Sequence, residues 1–119
     1  MHKFLQQAKS SGVVKVFKGS ENFKRDFIHV QDVTQITKQS INFPSGIYNV
    51  GTGIANSFLD VANKVSNLTG CKVQEIEFPK HLQGKYQKYT CSDNTKINNF
   101  YNDSRISLEL GIEKVYHNE

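Results

Sequence analysis

An α/β fold follows from three features of the 119-residue sequence. Short runs rich in β-branched and aromatic residues recur (VVKVF, DFIHV, IYNV and KVQEIEF), too short for helices and mostly bounded by Gly, Ser, Asn or Pro. Between them lie stretches whose apolar residues return at helical spacing. No internal repeat or low-complexity segment interrupts the series. The predicted order is α, β, β, α, β, α, β, α, α, and the alternation through the middle favours an α/β layer arrangement over an all-β fold or a helix bundle. At 13.5 kDa the chain is expected to form a single unit spanning residues 1–119.

Each element has its own signal. Phe4, Leu5 and Ala8 recur at helical spacing before Ser10-Ser11-Gly12, predicting a helix that opens without a cap. Val13–Phe17 reads as a strand, KGSENFKR as a turn region, and Asp26–Val30 as a second strand. Asp32 is a candidate N-cap for a helix carrying Val33, Ile36, Ile41 and Phe43, which Pro44 ends because the residue before proline disfavours helical backbone. Ile47, Tyr48 and Val50 predict a strand, released by Gly51 and Gly53 into a sharp turn. Ser57 and Asp60 form a capping-box pattern ahead of Phe58, Val61, Ala62, Val65 and Leu68, with Gly70 as the stop. The alternation in KVQEIEF predicts an edge strand. DNTKINNFY and SLELGIEKVYH predict two short helices, the second capped by Ser107 and lined by Leu108, Ile112 and Val115.

Composition narrows the function. No apolar run approaches the length of a membrane span, and the opening residues lack a secretory signal, so the expected compartment is the cytoplasm, with no membrane partner. Cys71 and Cys91 form no zinc spacing and are expected to be free thiols. The net charge is +4 and the pI about 9.1, but the lysines are scattered. Only Lys80–Tyr89 gathers basic and aromatic residues, which suits a small anion as well as a polymer, and a nucleic-acid partner is not expected.

Candidate chemistry is sparse. Gly51 and Gly53 lack the third glycine of a dinucleotide fingerprint, and a turn that merely reverses the chain accounts for them. His29 reads as a packed histidine bonded to a backbone carbonyl. No Tyr-x-x-x-Lys pair and no GxSxG elbow is present. The segment from Lys18 to Arg25, with backbone amides around Gly19 and Ser20, is a candidate anion site, and Arg25's planar fork suits a diphosphate better than a lysine does. The competing reading is a solvated basic loop.

FKGSENFKRDFIHVQDV, SGIYNVGTGIANSF and FPKHLQGKYQKYT, in that order and spacing, resemble the C-terminal part of the ADP-L-glycero-D-manno-heptose 6-epimerase family, extended short-chain dehydrogenase/reductases of the NAD-dependent epimerase/dehydratase group. The resemblance runs from about Val14 to Tyr116. RDFIHV and YNVGTG mark only the wider superfamily, whereas GSENFKRDF joined to FPxxLxGxYQxxT is specific. The resemblance implies the last Rossmann elements plus a small substrate-binding domain, without the N-terminal cofactor-binding half. It implies epimerisation at C6 of ADP-heptose for lipopolysaccharide core synthesis, with NADP as transient hydride carrier in the intact enzyme and none bound by this chain alone. It places Phe17, Lys18, Gly19, Ser20, Arg25 and Tyr86 at the ADP-sugar site. Position 18 departs from the pattern, since a family member has Glu where this chain has Lys18. The cofactor fingerprint and catalytic Tyr-Lys pair are absent from these residues, so the chain by itself is expected to be inactive. Its expected partners are the ADP-sugar and either a complementary N-terminal half or further copies of itself. The alternative is a non-catalytic module that binds an ADP-sugar or a partner protein.

Overall fold

The computed structural model describes residues 1–118. Helix α1 (His2–Ser11) opens without a side-chain cap and ends at Gly12, whose positive φ of 67° lets its N–H reach the Ala8 carbonyl. The chain then enters strand β1 (Val13–Phe17), where Val14 and Val16 are buried and Lys15 is exposed, as period-two alternation demands. A turn through Gly19 (φ 83°) and a 3₁₀ turn at Ser20–Asn22 lead to strand β2 (Lys24–Asp26). Helix α2 (Val30–Gln39) and a 3₁₀ turn at Ser40–Asn42 follow. Strand β3 (Ala55–Ser57) runs directly into α3 (Phe58–Thr69), then β4 (Lys72–Ile76) and finally α4 (Leu108–Asn118).

Two small sheets result. β1 pairs in parallel with β4, from Val13 opposite Lys72 to Phe17 opposite Ile76. β2 pairs antiparallel with β3, with Arg25 opposite Asn56. The main core lies between the first sheet and helices α1, α3 and α4: Leu5, Val14, Val16, Val61, Ala62, Val65, Cys71 and Ile112 are all buried there. A smaller cluster joins Ile36, Ile97 and Tyr101, flanked by Ile28, Phe43 and Tyr48. Among the described residues no helix is long and apolar enough to cross a membrane.

Several sequence expectations hold in detail. The Ser57 hydroxyl accepts from the Asp60 N–H at 3.0 Å while the Asp60 carboxylate accepts from the Ser57 N–H at 2.9 Å, the reciprocal pair of a capping box. Gly70 closes α3 with φ 73°. Ser107 accepts from the Leu110 N–H at 3.2 Å at the start of α4, and Ile112 is fully buried. β4 has a single strand neighbour among the described residues, as an edge strand should.

Other expectations fail, each for a local reason. Asp32 does not cap α2. His29 does, its Nδ1 accepting from the Gln31 N–H at 3.1 Å, and it makes that bond in place of the carbonyl contact expected of it. Asp32 is instead buried inside the helix and accepts from the Ile106 N–H at 3.0 Å, tying α2 to the segment ahead of α4. The predicted strand Asp26–Val30 shrinks to Lys24–Asp26, because its partner begins only at Ala55 and the turn before that residue wraps around the Asp26 carboxylate. Ile47–Val50 is in no sheet, although the sequence reads it as a strand. Residues 93–101 form only a 3₁₀ turn at Ile97–Asn99. In β4 the half-buried residues are Val73 and Ile76, three apart, so the predicted alternation is lost.

Candidate functional site

Two segments far apart in sequence close on one another at the ends of β1 and β2. The Lys24 N–H donates to the Lys88 carbonyl at 2.8 Å, and the Thr90 N–H donates to the Lys24 carbonyl at 3.1 Å. These bonds sew the loop 80–90 along β2. Aromatic rings fill the junction: Phe78 meets Phe17 at 5.3 Å, Phe23 at 5.3 Å and Tyr86 at 5.7 Å, and Phe23 meets Tyr86 edge-on at 5.0 Å. Beside them opens a cavity of about 270 Å³ whose lining includes Phe17, Ser20, Phe23, Phe58 and Tyr86, with Lys3 and Lys15 supplying positive charge.

The six residues singled out from the sequence fall into four situations. Phe17, Ser20 and Tyr86 line the cavity directly. The Ser20 side chain is buried, and its hydroxyl has no hydrogen-bond partner among the described residues. A buried hydroxyl without a partner is costly, and a polar ligand atom in the cavity would relieve it. Arg25 does not line the cavity but stands against two rings that do, its guanidinium 5.4 Å from the Tyr86 ring centre and 5.8 Å from that of Phe58. It donates to the Gln87 carbonyl at 2.5 Å and to the Lys24 carbonyl at 2.7 Å. Those bonds hold the fork in place, and part of its five-donor set stays free for an anion. Gly19 contributes shape. Its positive φ bends the chain so that Ser20 turns inward, a backbone region that side chains with a Cβ rarely adopt. Lys18 is elsewhere: it is exposed and pairs with Glu77, which raises its pKa through the hydrogen bond and charge of that carboxylate.

Sequence reasoning passed over Phe23, Phe58, Phe78, Lys3 and Lys15. Phe23 and Phe78 stood inside the two specific motifs, so aromatic residues flanking a basic loop were the available signal. Lys3 and Phe58 carried none, because both read as ordinary positions of amphipathic helices.

A second polar centre lies behind the site. The Asp26 carboxylate accepts from the Thr52 N–H at 2.9 Å, the Thr52 hydroxyl at 2.5 Å, the Gly53 N–H at 2.9 Å and the Ser92 N–H at 3.2 Å. Burial pushes its pKa up, but the bonds from Thr52, Gly53 and Ser92 outweigh that and hold it below the ordinary carboxylate value. A side chain at Gly51 would overlap Asp26 and Ser92. This turn therefore does not fit a dinucleotide pyrophosphate: the amides such a fingerprint would offer are taken by Asp26. Among the described residues no group of three or more His, Cys, Asp or Glu side chains is placed to hold a metal ion.

No family model matches the chain. The ADP-L-glycero-D-manno-heptose-6-epimerase of Brachyspira hyodysenteriae is 39% identical over 112 residues, covering 91% of this chain and 35% of that enzyme. The crystal structure of the Helicobacter pylori ADP-L-glycero-D-manno-heptose-6-epimerase superposes with a TM-score of 0.79 at 26% identity, over 94% of this chain and 34% of that one. The chain has the α/β fold of the C-terminal part of the extended short-chain dehydrogenases/reductases. Another member, TunA, an NAD-dependent NDP-hexosamine 5,6-dehydratase of tunicamycin biosynthesis, superposes with a TM-score of 0.82 at 18% identity, over 97% of this chain and 38% of its own. The chain thus spans about a third of the length of the extended short-chain dehydrogenase/reductases it matches. The aromatic cavity, Arg25 and the Asp26-anchored turn are all carried by that third of the fold.

Proposed function

We propose that this chain is the substrate-binding portion of an ADP-heptose 6-epimerase, which converts ADP-D-glycero-D-manno-heptose to the L-glycero epimer in lipopolysaccharide core precursor synthesis. One observation carries the reading. The two motifs specific to that family, more than 50 residues apart in the sequence, converge on a single aromatic cavity that holds a buried Ser20 hydroxyl unpaired among the described residues, with the Arg25 guanidinium held against two of its lining rings. The 39% identity to a heptose epimerase over nearly the whole chain supports the same assignment.

The parts suit an ADP-sugar. Flat aromatic walls accept a base or sugar face, the partly free fork of Arg25 matches the oxygens of a diphosphate, and Lys3 and Lys15 add charge complementarity. The chain has no acid–base pair of the family's kind and no turn that fits the dinucleotide, so its own residues bind and orient the substrate while hydride chemistry belongs to NADP held outside these residues. By itself it binds an ADP-sugar without turning it over.

Titration calorimetry with ADP-ribose tests this. The wild-type chain is expected to bind, and both Arg25→Ala and Tyr86→Ala to weaken binding at least tenfold. No heat of binding, or unchanged affinity in both variants, overturns the assignment.

A further inference from the structure

A second cavity, of about 480 Å³, opens between β3 and the segment that leads into α4. It shares no lining residue with the aromatic cavity. One part of its lining is apolar, formed by Phe27, Ile54, Ile106 and Leu108, and another carries the cations Lys64 and Arg105.

Arg105 is held in a way that leaves one edge open. Its Nη1 donates to the Asp103 carbonyl, and its guanidinium lies over the Tyr101 ring, 4.6 Å from the ring centre, so the plane of the fork is fixed. No carboxylate pairs with it among the described residues. Its Nε is buried without a hydrogen-bond partner there, and Nη2 donates to no described group either. Nε and Nη2 carry the parallel pair of N–H groups that an oxyanion accepts bidentately, and a buried donor left unpaired is costly. A ligand oxygen on that edge removes the cost.

The surroundings favour an anion with an organic body. Lys64 stands 3.4 Å from Glu109, whose side chain is 70% exposed, and so loose and solvated a pair contributes little, which leaves the ammonium free to turn to a stronger partner. Glu109 is the one carboxylate in the lining, so the two cations leave a net positive charge. Asp32, close to Tyr101, is occupied by the Ile106 amide. The Ser107 oxygen accepts from the Leu110 N–H and keeps its proton to donate, while the Ser104 hydroxyl bonds to no described residue. These donors outnumber the two oxygens of a carboxylate and suit the three terminal oxygens of a phosphate ester.

We infer that this cavity binds a small organic phosphate monoester, its phosphate on the Nε–Nη2 edge of Arg105 and its apolar body against Phe27, Ile54, Ile106 and Leu108. Arg25 and the aromatic rings around it take no part.

The test titrates phenyl phosphate and, separately, inorganic phosphate into the nitrogen-15-labelled full chain while the Arg105 Nε–H resonance is followed by NMR. A saturable shift is expected with phenyl phosphate, at an affinity about tenfold above that of inorganic phosphate because the ring buries apolar surface. Arg105→Lys keeps the charge and loses the fork, and should weaken binding about tenfold, read from the surrounding amides, with circular dichroism checking that it stays folded. Glu109→Gln, at an exposed side chain, frees Lys64 and should tighten binding about threefold, a gain that a merely structural role would not produce. No saturable shift, equal affinity for the two probes, an unchanged affinity in Arg105→Lys or weaker binding in Glu109→Gln overturns the inference. So does a shift that disappears in Arg25→Ala, which would put the probe in the aromatic cavity. ADP-ribose binding enters none of these readouts, so failure here and failure of the substrate assignment are separable.

Discussion

The two apolar clusters hold their elements by different means. Around α1, β1, α3, β4 and α4, eight buried residues interlock and α3 carries both a capping box and a glycine stop, so local signals and tertiary packing agree. Around α2, the buried apolar residues among those described are only Ile36, Ile97 and Tyr101, and polar bonds do the rest of the fastening: Asp26 to the turn at 52–53, Asp32 to the Ile106 amide, Asn94 to the Gly51 carbonyl. The first region is stabilised by its own apolar residues, whereas the second is positioned by hydrogen bonds and keeps much of its apolar surface outward. A fold can therefore place a segment accurately without burying it.

Four measurements break or sharpen this contrast, from the largest expected effect to the smallest. Leu5→Ala, in the fully buried core, should cost about 2–5 kcal/mol by denaturant unfolding, whereas Ile36→Ala should fall at or below the low end of that range because the second cluster borders solvent and can relax. Equal costs would show the two regions to be one cooperative core. Asp26→Ala should cost about 1–3 kcal/mol by leaving the amides of Thr52, Gly53 and Ser92 without their acceptor. Hydrogen exchange should locate that loss in residues 50–54 and 92–94 and not in α3. The same carboxylate makes stability pH-dependent. The folded pKa values of Asp26 and Asp60 lie below the ordinary value, for Asp60 through the Ser57 hydroxyl and amide, so their contribution is complete above about pH 4 and is lost as the pH falls through the folded values. Acid titration of the melting temperature should show that decline, and Asp26→Asn should flatten it. Ser57→Ala should cost about 1 kcal/mol, confined to the first turn of α3.

The elements that sequence inspection located well are those whose signals are local. Ser57, Asp60 and Gly70 bound α3 because capping chemistry acts within four residues, and VVKVF forms β1 because its alternation matches one buried face. The aromatic cavity was half legible. Phe17, Ser20 and Tyr86 came from motifs, but Phe58 sits on a helix whose rotation is set only when β2 and β3 pair. His29 took the cap from Asp32 for a similar reason: Asp32 is drawn inward by the Ile106 amide, 74 residues away.

The sequence by itself determined the α/β class, the ends of α3, the resemblance to the heptose epimerases and the basic, aromatic character of the site. Only the tertiary structure decided that β1 joins β4, that Lys18 turns away to Glu77 while Ser20 turns inward, that the Gly51–Gly53 amides serve Asp26 in place of a pyrophosphate, and that Ile47–Val50 stands as a strand without a sheet. The physical reason is range. Propensity and capping act over a few residues, whereas a strand or a binding residue is completed by groups brought from far along the chain.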